Sequence, residues 1–197
     1  MLTDLPNVLT LSRIAAIPLL VALAAFRTPA GDFAACVVFA LAGLTDYFDG
    51  KIARGRAQTS DLGRMLDPIA DKLLVGASLM TLAGLGRLSN WGLYPAIIIL
   101  LREILVSGLR EYLAGLRIGL PVTELAKWKT GFQMGALGTL LAGDDTGALL
   151  HLGFLPVQVI GEAMLWVAAG LTLWTGWAYL HAGLRHASAP ANAERQP

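Results

Sequence analysis

Four aspartates at fixed offsets are the residues of this sequence best suited to chemistry. They form two pairs, Asp46 with Asp49 and Asp67 with Asp71, and apolar sequence flanks them on both sides. Spacings of three and four place each pair on one face of a helix. Carboxylates beside an apolar run are costly unless something neutralises them. Carboxylate oxygens suit Mg²⁺ or Mn²⁺, whereas zinc usually recruits His or Cys, so the pattern predicts a site for two such divalent cations.

The residues between the two pairs are consistent with a ligand that contains a pyrophosphate. Two metal ions close together could clamp that group and stabilise charge on the attacking and leaving oxygens. Gly50, Ala53 and Gly63 are small, so a ligand can approach the backbone there. The alternative is structural, with interfacial carboxylates that pair with basic neighbours such as Arg54 and Lys72. The complete arrangement favours the metal site.

Composition places these residues in a membrane protein. Of the 197 residues, 55% are hydrophobic and 15% are charged, and soluble domains carry roughly 25% charged residues. Six apolar segments approach the roughly 20 residues needed to cross a bilayer. We therefore predict an all-α polytopic protein with six transmembrane helices. The predicted spans are residues 6–26, 32–53, 64–85, 91–115, 122–142 and 156–183.

The chain is expected to form one membrane domain, at residues 1–186, followed by a disordered polar tail at 187–197. The first span opens with polar residues at every third position, namely Asn7, Thr10 and Arg13. This spacing predicts a helix start whose polar flank is held at the membrane interface. The net charge of +1 gives no basic field that would attract nucleic acid.

The distribution of basic residues predicts which side of the membrane carries the aspartates. With six spans, both termini lie on one side. The segments between the second and third spans and before the fifth are rich in Arg and Lys, whereas the opposite loops offer only Arg27 and Arg87. The positive-inside rule therefore places both termini and the aspartate site at the cytoplasmic face of the inner membrane.

A second group of charged residues lies on the predicted fourth and fifth spans. Arg102 and Arg110 lie within an apolar segment, where charged side chains are functional candidates by default. Lys127 and Lys129 open the next span on the cytoplasmic side. These four residues could form a basic pocket for an anion such as a phosphate. Alternatively, glutamates such as Glu103 neutralise the arginines, and the lysines reach toward lipid headgroups.

The aspartate stretch resembles the signature of the CDP-alcohol phosphotransferases. Every fixed position matches, in the order Asp46-x2-Asp49-Gly50-x2-Ala53-Arg54-x8-Gly63-x3-Asp67-x3-Asp71. The resemblance implies a six-helix membrane enzyme that forms a homodimer. It also implies transfer of a phosphatidyl or similar group from a CDP-linked donor to an alcohol, with release of CMP.

The same resemblance assigns roles to individual residues. The four aspartates hold two divalent metal ions, and Asp71 also acts as general base on the acceptor hydroxyl; a purely metal-binding Asp71 is the alternative. Contact with the CDP group of the donor is implied for Gly50, Arg54 and Ser60. Further contacts with the donor are expected at the small residues Ala53 and Gly63 and at Asn7 and Thr10 on the polar flank of the first span. For Asn7 and Thr10, simple anchoring at the interface is the alternative.

The acceptor is predicted from the second group of charged residues. That region and the N-terminal segment resemble the branch of the family that uses sn-glycerol 3-phosphate, and a neutral acceptor such as inositol would not need a basic pocket. We expect phosphatidyl transfer from CDP-diacylglycerol in phospholipid biosynthesis, with the acceptor phosphate at Arg102, Arg110, Lys127 and Lys129. The alternatives are a sibling enzyme that uses inositol phosphate or phosphatidylglycerol, a Mg²⁺-dependent prenyltransferase and a cation transporter.

Overall fold

Six α-helices follow one another along the chain, and the described residues contain no strand. The computed structural model describes residues 5–56, 61–115, 124–149 and 154–187; for some of them, including 46–56, 61, 62 and 64, it describes the backbone alone. The helices are α1 (Leu5–Ala25), α2 (Pro29–Arg56), α3 (Asp61–Gly84), α4 (Leu93–Gly115), α5 (Glu124–Leu149) and α6 (Val157–Ala187). The predicted all-α class is confirmed. The predicted tail falls outside the described residues, except for Ala187 at the end of α6.

Helix α5 extends beyond its predicted end. The predicted fifth span stops at residue 142, yet α5 continues to Leu149. Gly143 lies at a kink, with φ 68° and ψ 172°. Glycine adopts a positive φ without the steric penalty of a side chain, so the chain bends there and resumes a helical course. The polar sequence after Gly143 is therefore a short helical extension rather than an open loop.

The core of the bundle consists of leucine-rich helix faces. Helices α5 and α6 pack together, α4 packs on α6, and α1 packs on both α2 and α3. Leu74, Ile99 and Leu165 are among the fully buried side chains. Close approach of α5 and α6 depends on Gly161, since a Cβ there would lie 2.7 Å from Cγ of Leu140. Small residues at such contacts are typical of helix pairs in membranes.

Two of the described helices are long and apolar enough to cross a membrane, at Asn7–Ala25 and Val157–His181, and Pro29–Thr45 is a shorter apolar segment. The apolar helices and the family described below indicate a membrane protein. The prediction of six transmembrane helices is not confirmed. Helices α3 to α5 each carry several charged residues, and the side chains of α2 are described only as far as Thr45.

A polar network ties the helices together at the end of α2 away from the aspartates. Arg87 donates hydrogen bonds to the carboxylate of Asp32 and to the backbone oxygen of Leu141, the latter at 2.9 Å. Gln158 Nε2 donates to the backbone oxygen of Arg87 at 3.3 Å. Asp32 is buried, so its charge depends on Arg87 for compensation. The network links α2, α5, α6 and the turn between α3 and α4.

Candidate active site

Helix α3 presents the second aspartate pair near its N-terminal end. Asp67 and Asp71 are one turn apart, and both side chains are half-buried. Asp67 Oδ1 accepts a hydrogen bond from the hydroxyl group of Thr10 on α1. Lys72 donates a hydrogen bond to the backbone oxygen of Pro68 at 2.9 Å. The sequence left open that Lys72 instead pairs with the aspartates as an ordinary salt bridge. The described hydrogen bond of Asp67 is therefore from the hydroxyl group of Thr10 rather than from Lys72.

The polar flank of α1 is buried inside the protein. Asn7, Thr10 and Arg13 are each at most 1% exposed, because α1 packs against α3 as well as α2. This position differs from the one predicted at the membrane interface. The flank faces the aspartate helix, as the hydrogen bond from Thr10 to Asp67 shows. The predicted contact of Asn7 and Thr10 with the donor stays a prediction.

The first aspartate pair lies on the last turns of α2. The backbone is helical at Asp46 and Asp49, but their side chains are outside the description. Helices α1 and α5 each contact both α2 and α3, so the two aspartate-bearing helices share the same neighbours. Gly63 on α3 is buried. The other predicted donor contacts, Gly50, Ala53, Arg54 and Ser60, have side chains outside the described set, and Ser60 lies wholly outside it.

The described carboxylates of the site are the kind of ligand that a hard divalent cation prefers. Among the described side chains, no three His, Cys, Asp or Glu residues come together as a metal cluster, and this finding does not cover Asp46 and Asp49. Asp67 receives a hydrogen bond from a buried hydroxyl group. Outer hydrogen bonds of this kind orient the carboxylates that ligate metal ions. The residues present therefore fit Mg²⁺ or Mn²⁺.

Helices α4 and α5 are joined by a buried cluster of ion pairs. Lys129 on α5 is 7% exposed and forms an ion pair with Glu103 on α4. Glu103 Oε1 also lies 3.6 Å from Nη1 of Arg102. Lys129 interacts electrostatically with Asp71 as well. Lys129 and Arg102 therefore share Glu103 as an ion-pair partner, and we call Arg102, Arg110 and Lys129 the basic cluster.

Helix α6 contributes contacts to the basic cluster that the sequence analysis did not assign. Arg102 donates to the backbone oxygen of Thr172 at 3.2 Å and to the hydroxyl oxygen of Thr175 at 2.9 Å. Cζ of Arg102 lies 5.9 Å from the ring centroid of Tyr179, and Cζ of Arg110 lies 5.4 Å from it. One sequence feature could have predicted these contacts. It is the set of polar residues at helical spacing on one side of an apolar helix, at positions 172, 175 and 179.

The two lysines predicted at the acceptor phosphate differ in environment. Lys129 is buried within the basic cluster. Lys127 lies on the exposed side of α5, where its Nζ is 2.7 Å from Oε1 of Glu124, and these side chains are 68% and 81% exposed. The structure thus brings Arg102 and Arg110 near one ring on α6 and pairs Lys129 with Glu103 beside Arg102. A role for Lys127 at the acceptor stays a prediction.

Comparison with known proteins assigns this helical bundle to a class. Residues 3–174 match the family described as CDP-alcohol phosphatidyltransferase, and the chain belongs to that family. It is therefore an enzyme of the transferase class, and the resemblance seen in the aspartate pattern is confirmed. Members of the family generally depend on metal ions.

Curated relatives agree over nearly the whole chain. The CDP-diacylglycerol--glycerol-3-phosphate 3-phosphatidyltransferase of Rickettsia bellii is 44% identical over 91% of this chain and 94% of the relative. The protein of the same name from Cereibacter sphaeroides is 38% identical over 92% of this chain and 96% of the relative. A cardiolipin synthase (CMP-forming) from Oryza sativa subsp. japonica is 39% identical over 91% of this chain and 57% of the relative.

Proposed function

We propose that the protein transfers the phosphatidyl group of CDP-diacylglycerol to sn-glycerol 3-phosphate, which yields phosphatidylglycerophosphate and CMP in phospholipid biosynthesis. The observation that carries the proposal is the buried ion pair of Lys129 with Glu103, which also lies 3.6 Å from Arg102. These basic groups would hold a phosphate within electrostatic range of Asp71, which the family pattern assigns as general base. Relatives with this activity in their names match nearly the full chain.

Asp46, Asp49, Asp67 and Asp71 would hold two divalent cations, Mg²⁺ or Mn²⁺. When bound, such ions offset negative charge on the pyrophosphate and on the departing CMP. The chain's own contribution includes the hydrogen bond from Thr10, which fixes the orientation of the Asp67 carboxylate. The small residues near the ends of α2 and α3 would let the CDP group approach the backbone.

The charge of the basic cluster matches an acceptor that carries a phosphate. Glu103 supplies one negative charge against the positive charges of Arg102 and Lys129, and Arg110 adds a third positive charge beside Tyr179. A phosphate monoester carries roughly −1.5 to −2 charges at pH 7. The positive charge that Glu103 leaves uncompensated is of this size. A neutral alcohol would gain little from it.

Asp71 would act on the acceptor hydroxyl group while the basic cluster holds the acceptor phosphate. The 1-hydroxyl oxygen attacks the phosphorus attached to diacylglycerol, and the bond from that phosphorus to the oxygen of CMP breaks. Asp71 takes the hydroxyl proton as the new phosphorus–oxygen bond forms. Lys129 would help to hold the acceptor at the correct distance, which is the main requirement of a phosphoryl-type displacement.

We also propose that all six helices cross the membrane and that the site faces the cytoplasm at the inner membrane. Several charged residues of α3 to α5, among them Asp67, Asp71, Arg102 and Lys129, belong to the proposed site, so their presence is compatible with spanning helices. The bias of Arg and Lys toward the segments near the aspartates supports the orientation. A homodimer is proposed from the family resemblance alone.

A second candidate acceptor is phosphatidylglycerol. It is favoured by the rice relative named cardiolipin synthase (CMP-forming), which matches 91% of this chain. Phosphatidylglycerol also carries a phosphate, as a diester with one negative charge. The family match leaves no support for the prenyltransferase and transporter alternatives.

The proposal is tested by CMP release from CDP-diacylglycerol with purified protein in detergent. The acceptors are sn-glycerol 3-phosphate, glycerol, inositol phosphate and phosphatidylglycerol, each with Mg²⁺ or Mn²⁺ and again with a chelator. We expect release to require sn-glycerol 3-phosphate and to stop when the metal is removed. Faster release with phosphatidylglycerol would replace the acceptor assignment, and substantial turnover without metal would refute the cation site.

A further inference from the structure

One face of α6 contacts the arginine side chains of the basic cluster. Its members are Thr172, Thr175, Gly176 and Tyr179, which lie at positions i, i+3, i+4 and i+7. Residues at these spacings share one side of a helix. Thr172, Thr175 and Gly176 are buried, and Tyr179 is 6% exposed. We call these four residues the α6 cradle.

The cradle fixes Arg102 through three different contacts. Nε of Arg102 donates to the backbone oxygen of Thr172, and Nη2 donates to the hydroxyl oxygen of Thr175. Gly176 leaves room for the shaft of the side chain, since a Cβ there would lie 3.2 Å from Cγ and 3.3 Å from Nε of Arg102. Such a contact is tight, so the arginine side chain would have to shift by a few tenths of an ångström. The guanidinium direction is therefore set by α6.

Tyr179 brings the two arginines to the same place. Its ring lies 5.9 Å from Cζ of Arg102 and 5.4 Å from Cζ of Arg110, and Arg110 Nη2 donates to its hydroxyl oxygen at 3.4 Å. A guanidinium over an aromatic ring is attracted by the negative face of that ring. The ring thereby offsets part of the repulsion between two like charges. Two guanidinium groups held on one ring are a pre-formed site for an anion.

We infer that the α6 cradle positions Arg102 and Arg110 for the phosphate of the acceptor and that Tyr179 is the positioning residue that both arginines share. The inference rests on the proposed function, because it requires a phosphate-bearing acceptor. It adds α6 to the acceptor site. Gly176 and Tyr179 lie beyond residue 174, where the family match ends.

The first test is Gly176→Ala, with Gly170→Ala as its matched control. Both glycines lie on α6, but a Cβ at Gly170 would have no heavy atom within 4 Å among the described residues. A shifted guanidinium loses part of its hydrogen bonding to α6, so the KM for sn-glycerol 3-phosphate should rise about three- to tenfold in Gly176→Ala. The KM for CDP-diacylglycerol should stay within about twofold. Gly170→Ala should change neither constant.

The second test compares Tyr179→Phe with Tyr179→Leu. Phenylalanine keeps the aromatic face and loses the long hydrogen bond from Arg110, so the KM of this variant for sn-glycerol 3-phosphate should rise by about threefold at most. Leucine removes the face that both guanidinium groups share, and the KM should rise about tenfold or more. A purely structural role of Tyr179 would instead lower the thermal stability and affect both substrates equally.

Arg102→Ala separates failure of this inference from failure of the proposed function. If Arg102→Ala raises the KM for sn-glycerol 3-phosphate while Gly176→Ala and Tyr179→Leu do not, the cradle is overturned and the acceptor pocket stands. If Arg102→Ala and Arg110→Ala both leave that KM unchanged, the acceptor pocket itself is wrong. Should Tyr179→Leu not fold, Gly176→Ala with its control decides the matter.

Discussion

The hydrogen bond from Thr10 to Asp67 gives the most specific prediction about the carboxylate site. Thr10 is fully buried on α1, and its hydroxyl group donates to Asp67 Oδ1 on α3. Thr10→Val keeps the branched shape of the side chain and removes the hydroxyl group. If Asp67 is a metal ligand, as we propose, the substitution should weaken metal binding because the carboxylate loses the donor that orients it.

The magnitude follows from the kind of hydrogen bond that is lost. A hydrogen bond to a charged group contributes about 1.5–3 kcal/mol, and removal of an outer partner of a metal ligand typically costs about 10–100-fold in metal affinity. We therefore expect the half-saturating concentration of Mn²⁺ to rise about tenfold or more in Thr10→Val. The rate at saturating Mn²⁺ should approach that of the unmodified enzyme, since Thr10 itself takes no part in the proposed proton transfer.

The assay is a titration of CMP release against Mn²⁺, paired with thermal unfolding at several Mn²⁺ concentrations. A tenfold weaker site loses about 1.4 kcal/mol of metal-induced stabilisation at saturating metal, so the unfolding curves report binding without reference to turnover. Thr10→Ser restores a hydroxyl group and should recover most of the affinity. Ser12→Ala removes an exposed hydroxyl group on the same helix. That hydroxyl group donates a hydrogen bond to the backbone oxygen of Leu9, and its removal should leave the Mn²⁺ titration unchanged.

Two results would refute this reasoning about Thr10. An unchanged half-saturating Mn²⁺ concentration in Thr10→Val would show that the hydrogen bond does not orient a metal ligand. A higher KM for CDP-diacylglycerol with unchanged metal dependence would instead place Thr10 at the donor, which is the role predicted from the sequence.

Three further substitutions test other parts of the account. Asp71→Asn should retain binding of CDP-diacylglycerol but abolish transfer, and full CMP release would exclude Asp71 as the general base. Arg110→Ala should raise the KM for sn-glycerol 3-phosphate about tenfold through loss of a charged contact, and an equal rise for CDP-diacylglycerol would remove Arg110 from the acceptor site. Arg87→Met leaves buried Asp32 without its partner, which should cost about 3 kcal/mol and lower the Tm by roughly 6–12 °C. The double change Arg87→Met with Asp32→Asn should recover part of that loss, and no recovery would contradict the assigned pairing.

Hydropathy and spacing predicted the order and approximate ends of the helices. Apolar runs and turn residues are local features, and α3 and α4 lie close to their predicted spans. The extension of α5 past residue 142 was missed because Gly143 is compatible with either a loop or a kinked helix. The backbone conformation at that residue, with φ 68°, decides between them.

The arrangement of the site was only partly predictable, because spacing along one helix does not reveal which helices are neighbours. The aspartate pairs and the charged residues of α4 and α5 were found from local patterns. The hydrogen bond from Thr10 to Asp67 joins residues 57 positions apart, and that from Arg102 to Thr175 joins residues 73 positions apart. Such contacts depend on helix packing, which is why α6 was not assigned to the site.

The preference for a phosphate-bearing acceptor is the central claim, and Lys129→Met tests it most directly. The measurement is the ratio of kcat/KM for sn-glycerol 3-phosphate to kcat/KM for glycerol at high concentration, in the unmodified enzyme and in the variant. Loss of a buried charge that binds phosphate, worth about 1.5–3 kcal/mol, should lower this ratio by about tenfold or more, and Lys129→Arg should retain most of it. An identical ratio in the unmodified enzyme and in Lys129→Met would contradict the proposed recognition of the acceptor.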